Sequence, residues 1–331
     1  MKHRSRQWTF LLWGIFLSGC ASSPTFLSPN SSVSAAEADL YRIIFYMALG
    51  VFVLVEGWLL FNIIRFRQRP GDETQPRQIY GNTRLEIIWT AIPVLLVGTL
   101  FFFTVRTVNA VASPSAKSAD IQVTVVGHRW WWEFDYPALQ VKTANELHVP
   151  VGANVEFTLE SADVIHSFWV PQLSGKTDVI PGQTNHLWFR ADQIGNYHGQ
   201  CAEFCGENHA NMRIKVVVES QADYDAWVAD QQKPLVQPQT ESQQRAFKLI
   251  TSGICSNCHT LGDHEGEQSI GPNLTHLFSR SVFAGATFDL TKGNLDAWLQ
   301  NTQAMKPGND MKVNLTSQQI DDLMSYLPTL K

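Results

Sequence analysis

Two apolar runs with an arginine-rich stretch between them limit this chain more than any other feature. Tyr41–Ile64 and Ile87–Val105 are each long enough to cross the ~30 Å hydrocarbon layer as a helix. Within lipid only helices and closed barrels satisfy their own backbone, so the pair predicts a two-helix transmembrane hairpin over 41–110. Pro93 falls inside the second run and at most kinks it. Between the runs lie Arg65, Arg67, Arg69, Arg77 and Arg84 against Asp72 and Glu73. The positive-inside rule puts that loop in the cytoplasm and everything after Arg106 outside. Glu56 lies in the first span, where a charge is costly, and receives no role. Glu86 opens the second, where a carboxylate suits a helix N-terminus.

The N-terminus gives the same orientation independently. Lys2, Arg4 and Arg6 precede the apolar run Trp8–Leu17, then Leu17-Ser-Gly-Cys20. A basic start, a short apolar core and small residues before a cleavage point predict an export signal over 1–19. Leu-Ser-Gly-Cys resembles a bacterial lipobox, which implies lipidation of Cys20; the alternative is an ordinary signal peptide with an incidental Cys. The Ser-, Pro- and Ala-rich residues 21–36 read as flexible, giving an extracytoplasmic tether over 20–40. A chain of 331 residues predicts two or three domains. Its net charge of −5, with 17% charged residues, leaves no basic footprint for nucleic acid.

Beyond a linker at Ser113–Ala119 the pattern changes to strands. Ile121–Val126, Val155–Leu159, His186–Phe189 and Met212–Val218 alternate with period two between Pro/Gly turns, which predicts a β-sandwich or barrel over 120–228. Into it falls Cys201-x3-Cys205-x3-His209-x2-Met212, with His166 upstream. One Cys, two His and a distant Met would suit mononuclear copper. Two thiolates can instead bridge two copper ions, each keeping one imidazole. A disulfide is the common use of two exported Cys, and zinc takes Cys and His, but Met is a poor zinc ligand. The ordered set favours copper.

Those residues resemble subunit II of a haem-copper cytochrome c oxidase and its dinuclear CuA centre. The resemblance implies a cupredoxin-like Greek-key domain in which His166, Cys201, Cys205, His209 and Met212 bind copper by side chains. It implies that Glu203 binds copper through its carbonyl and reaches Mg²⁺ at the subunit I interface through its carboxylate. Leu85-Glu-Ile-Ile-Trp-Thr-Ala-Ile-Pro93 resembles the family's second helix, where the residue matching Glu86 marks a proton path into subunit I. Gly127-His-Arg-Trp-Trp-Trp-Glu-Phe-Asp-Tyr136 matches the aromatic tract at which electrons enter, with Trp130 as the entering residue. Exposed ring area is expected there, with one or two Trp in the core. The chain departs at Arg129, where many relatives have Gln, and at Trp131, where they often have Tyr. His128, His148, His186 and His198 are expected at the surface or beside ligands, and Asp178 is left without a role.

A polar, Pro-containing linker over 229–241 leads to Cys255-Ser-Asn-Cys258-His259. Cys-x-x-Cys-His is the covalent haem c attachment signature, with His259 as proximal ligand. Met/His ligation suits an electron-transfer cytochrome; among Met305, Met311 and Met324, the run Lys306-Pro-Gly-Asn-Asp-Met311 resembles the ligand loop of class I cytochromes c, so Met311 is chosen. Pro272 is expected beside the proximal His, and His264 and His276 are expected to be exposed. Residues 242–331 thus predict an all-α cytochrome c domain.

Together these features predict the subunit through which electrons enter a respiratory cytochrome c oxidase. Cytochrome c or a quinol-oxidising complex would reduce haem c, then CuA, then the haem-copper centre of subunit I, where O₂ becomes water with proton translocation. Subunit I and subunit III are the expected protein partners, in a bacterial cell membrane. A CuA-type nitric oxide reductase is the alternative. Nitrous oxide reductase would need a second large copper domain, and a copper carrier would need no covalent haem.

Overall fold

The computed structural model of the protein describes residues 24–68, 70, 71, 75, 78–112, 119–262 and 270–331. The signal and Cys20, Ser113–Ser118 of the short linker and His264 lie outside them. Two long helices, α1 (Ser32–Arg65) and α2 (Thr83–Val111), are capped by Ser31 and Asn82, whose side-chain oxygens accept from amides in the first turn. Both expose their apolar residues along the predicted spans, as lipid-facing helices do.

Both helices are longer than the apolar runs. The tether expected over 20–40 is helical from Ser32 onward. Its first turns are fixed rather than loose: Ser31 donates to Leu173 O, Ser34 Oγ donates to Gln172 O at 2.7 Å, and Val33, Ser34 and Ala38 are buried. Asn30 N donates to Gln172 O, and Asp192 N to Asn30 O. The physical reason is that this polar stretch finds backbone acceptors on the neighbouring β-domain, which composition alone does not reveal.

That domain is a sandwich of ten strands. They are β1 (Ile121–His128), β2 (Trp131–Tyr136), β3 (Val141–Ala144), β4 (Glu146–Pro150), β5 (Asn154–Ser161), β6 (His166–Trp169), β7 (Thr177–Val179), β8 (Asn185–Arg190), β9 (Gly195–Cys201) and β10 (Arg213–Glu219). One sheet runs β3-β2-β1-β5-β8 and the other β4-β10-β9-β6-β7. β1 and β10 bury alternate residues, as half-covered strands must. Val125, Trp132, Phe134, Leu147, Phe157, Phe168 and Phe189 fill the space between the sheets, each fully buried. β4 departs from alternation and is buried throughout, because α3 (Gln221–Gln231) covers its outer face: Trp227 stacks on His148 at 4.4 Å.

The C-terminal domain packs α4 (Glu241–Thr251) against α7 (Ser317–Tyr326), with a small hairpin β11 (Val282–Phe283) and β12 (Phe288–Asp289), then α5 (Lys292–Gln300) and α6 (Thr302–Met305). Arg245 grips Asp322 with two bonds of 2.7 and 2.8 Å. The linker expected over 229–241 begins after Gln231, where α3 ends, and it is laid down rather than free. Gln232 Nε2 donates to Leu139 O, and Tyr326 OH donates to Val236 O. The domain is docked on the sandwich, not merely tethered to it.

Candidate metal centre and haem cavity

The copper ligands predicted from sequence come together. β6 opens on His166, β9 ends on Cys201, and the loop between β9 and β10 carries the rest. Cys201 N donates to Met212 O at 2.8 Å and Ala202 N to Ser167 O at 2.9 Å, closing the loop over β6. The two Sγ atoms stand 3.8 Å apart, unbonded. His166 Nδ1 lies 3.9 Å from Cys201 Sγ, and His209 Nδ1 lies 3.7 Å from Cys205 Sγ. Met212 Sδ is 3.8 Å from Cys205 Sγ, and Glu203 O is 3.2 Å from Cys201 Sγ. Thiolate–metal and imidazole–metal bonds of about 2.0–2.3 Å leave ligand atoms about this far apart around a shared ion. The donor set fits copper.

Asp163, to which no sequence motif gives a role, holds this arrangement. Its Oδ1 accepts from His166 Nε2 at 2.8 Å and its Oδ2 from Arg129 N at 2.7 Å. Fixing one ring nitrogen aims the other at the thiols. A hydrogen bond from Cys205 holds the Cys201 thiol well below its ordinary range. Gly127 permits the close approach, since a Cβ there would lie 2.9 Å from the His166 ring. The Glu203 carboxylate is exposed. Glu86 is far from both sites, in the first turn of α2.

The haem-attachment residues line a cavity of ≈ 460 Å³. Cys255 and Cys258 sit on a 3₁₀ turn after α4. His259 Nδ1 lies 2.8 Å from Pro272 O; donation there leaves Nε2 as the lone-pair nitrogen. Burial pushes the His259 pKa down, keeping the ring neutral as a ligand must be. Gly271 lets the ring pass, because a Cβ there would sit 2.7 Å from His259 Cε1. Met311 lines the cavity and its Sδ accepts from Trp298 Nε1 at 3.2 Å. All three candidate methionines pack against the helical core, but Met305 and Met324 do not line the cavity.

Arg280 was not singled out by sequence reasoning. It is buried on the cavity wall, donates to Asn273 O at 2.7 Å, and its Nε has no partner among the described residues. Burial pushes its pKa down to about 10. A buried guanidinium with a spare donor fits an acidic group such as a haem propionate. Its one sequence signal is a lone charge within Leu277-Phe-Ser-Arg-Ser-Val-Phe283.

The aromatic tract corrects an expectation. Trp130, Trp131 and Trp132 are 9%, 7% and 0% exposed, so none offers the expected surface. The first two are covered because Arg129, Trp130 and Trp131 form part of the haem cavity wall. Trp131 Nε1 donates to Ile270 O, and Trp130 Nε1 donates to Cys205 O, both at 3.0 Å. Two histidines also differ. His148 is buried between Glu146 (3.2 Å) and Glu219 (2.9 Å), and His276 is buried with Nδ1 3.0 Å from Lys331 O.

The seam between domains is charged. Glu146 accepts from Ser281 N and Oγ and pairs with Lys215 at 3.4 Å. Burial raises its pKa, but bonds from His148 and Ser281 outweigh that and hold it at about 2.

Three family descriptions match the chain. They are Cytochrome C oxidase subunit II, transmembrane domain, over residues 22–106; Cytochrome C oxidase subunit II, periplasmic domain, over 137–220; and Cytochrome c over 244–331. Cytochrome c oxidase subunit 2 of Alkalihalophilus pseudofirmus is 33% identical over 325 residues, covering 96% of this chain and 94% of the relative. That of Bacillus subtilis is 32% identical over 338 residues, covering 96% and 95%. The crystal structure of the periplasmic domain of subunit II of cytochrome oxidase of Bradyrhizobium japonicum is 32% identical, covering 34% of this chain and 94% of its own, with a TM-score of 0.34.

Proposed function

The chain belongs to the cytochrome c oxidase subunit II family, and we propose that its fused cytochrome domain is the way electrons reach the copper centre. It is a membrane protein with a periplasmic domain and a part of a haem-copper oxidase with subunit I. The nitric oxide reductase reading is not favoured, since the relatives matched along the whole chain are cytochrome c oxidase subunits. When bound, copper and haem iron would supply the one-electron redox chemistry by which this chain passes electrons toward subunit I for O₂ reduction.

In this reading Cys201 and Cys205 would supply the thiolates that hold the copper pair. His166 and His209 bind through Nδ1, Met212 through Sδ, and Glu203 through its carbonyl. The Glu203 carboxylate, being exposed, is free for Mg²⁺ at the subunit I contact. Cys255 and Cys258 would attach haem c covalently, His259 and Met311 would hold its iron, and Arg280 would meet a propionate. Glu86 stands at the cytoplasmic end of α2 as the mouth of a proton path, and Cys20 carries a lipid. The bacterial cell membrane, subunit III and a soluble cytochrome or quinol-oxidising complex as donor complete the proposal.

The observation that carries the route is Trp130, which lines the haem cavity and bonds the carbonyl of the ligand Cys205. The test uses the complex purified from membranes through this chain and supplied with reduced cytochrome. Cyanide-sensitive O₂ uptake is expected; NO reduction with negligible O₂ uptake would overturn the reading. Cys201→Ser should abolish turnover while haem c stays reducible.

A further inference from the structure

Lys306 is 4% exposed, yet its ammonium stands where the two redox sites meet. Nζ donates to Asn211 O and Ala284 O, both at 2.9 Å, and to Trp130 O at 3.2 Å. An ammonium has three donors and no acceptor, and here all three are used. The acceptors come from three separate segments. Asn211 immediately precedes the copper ligand Met212, Trp130 is the residue bonded to Cys205, and Ala284 lies in the β11–β12 hairpin turn. Lys306 itself opens the loop that ends at Met311.

Three neutral carbonyls are poor compensation for a buried cation, and burial pushes the Lys306 pKa down to about 8. The chain nevertheless clears space for it. Gly285, at φ +75°, lies so close that a Cβ would stand 2.6 Å from Trp130 O and 2.7 Å from Asn211 O. The same loop is braced again beside it. Asn208 Nδ2 donates to Pro307 O at 2.9 Å; Asn309 Nδ2 donates to Lys306 O, and Met311 N donates to Asn309 Oδ1 at 2.9 Å. A continuous run of bonds therefore joins the residue before Met212 to the amide of Met311.

We propose that Lys306 is a positioning residue for electron passage between the two sites: it fastens the Met311 loop to the copper loop, so that order in one is imposed on the other. The inference rests on the copper and haem reading above. It makes copper occupancy a determinant of how firmly Met311 is presented to the haem.

The test uses the purified oxidase complex with Lys306→Met, which keeps the stem and removes the charge. Haem and copper absorbance are read first. Electron equilibration between haem and copper is then timed after rapid photoreduction. Finally, imidazole is titrated against the methionine charge-transfer band of the ferric haem, with copper present and after chelation. Expected are normal haem and copper content and equilibration slowed by about tenfold or more, as misplacement of reacting groups costs. In the wild type, copper removal should ease displacement of Met311; in Lys306→Met displacement should be easy with or without copper. Unchanged equilibration and an unchanged copper effect would overturn the proposal. Should Lys306→Met fail to assemble, Asn208→Ala removes one brace and must show the same changes at smaller size; no change would overturn it. A wild-type complex lacking copper or haem absorbance would instead remove the functional reading beneath it.

Discussion

The copper loop and the haem cavity solve the same problem in opposite ways. Each copper donor already stands 3.2–3.9 Å from one of the two cysteine sulfurs, held by strands whose core closes without any ion. The cytochrome domain instead surrounds ≈ 460 Å³ of space that the group it binds would fill. A rigid scaffold can present ligands to a small ion, whereas the helical domain keeps a cavity beside its core for a larger group. One site is prepared by the fold, and the other is completed by its ligand.

The largest test of that contrast removes haem attachment with Cys255→Ser and Cys258→Ser. Without its occupant the apolar side chains lining the cavity lose their packing partner, a large loss against a whole domain's stability of about 5–15 kcal/mol. The C-terminal domain should then become protease-sensitive while the sandwich resists digestion. A protease-resistant C-terminal domain would break the comparison.

Trp132→Ala probes the other side. The ring is 0% exposed, lies edge-on to Phe168 at 5.4 Å, and meets the His166 ring at 5.9 Å. Its loss should cost about 3–5 kcal/mol, seen as a lower urea midpoint for the sandwich transition. Haem attachment should be unchanged. Asp163→Ala should leave the sandwich intact but weaken copper by about 10–100-fold, measured by competition with a chelator. Equal affinity would mean that the ring needs no outer partner, sharpening the view that the loop alone is sufficient.

The smallest effect concerns the seam. Glu146 has its folded pKa held at about 2, below an ordinary value of 4.5. Its contribution is therefore complete above the ordinary value and is lost as pH falls from about 4.5 toward about 2. His148 is raised by the same pairing, despite burial, so its part is complete below 6.5 and fades as pH rises through the raised value. Domain docking, followed by hydrogen exchange at Ser281, should weaken at both extremes. Glu146→Gln should flatten the acid limb.

Much of this was legible because the chemistry is local. Cys201, Cys205, His209 and Met212 share one loop, and Cys255, Cys258 and His259 share one turn, so spacing alone points to them. What escaped belongs to contacts between distant segments. Trp130 and Trp131 look like surface from their own segment, yet Trp130 packs into the sandwich core beside Cys205 and Gly206 and Trp131 is bonded to Ile270 of the other domain. His148 is expected at the surface or beside ligands and no motif marks Glu146, yet α3 stacks on the first and Ser281 bonds the second. Arg280, Lys306 and Asp163 are ordinary charged residues until the fold gives each its partners. Residues 32–40 read as a tether because their backbone acceptors lie more than a hundred residues away.

The first turns of α1 have a further consequence. The helix has 34 residues, about 51 Å at 1.5 Å per residue, against a ~30 Å hydrocarbon layer. Its surplus length rises out of the bilayer and is bonded, through Ser31 and Ser34, to the loop after β6. The sandwich is thus gripped by a lever whose angle the lipid sets, since a helix meets a thinner or thicker bilayer partly by tilting. Through Ser31 and Ser34, a change in the tilt of α1 would be felt first at the loop after β6.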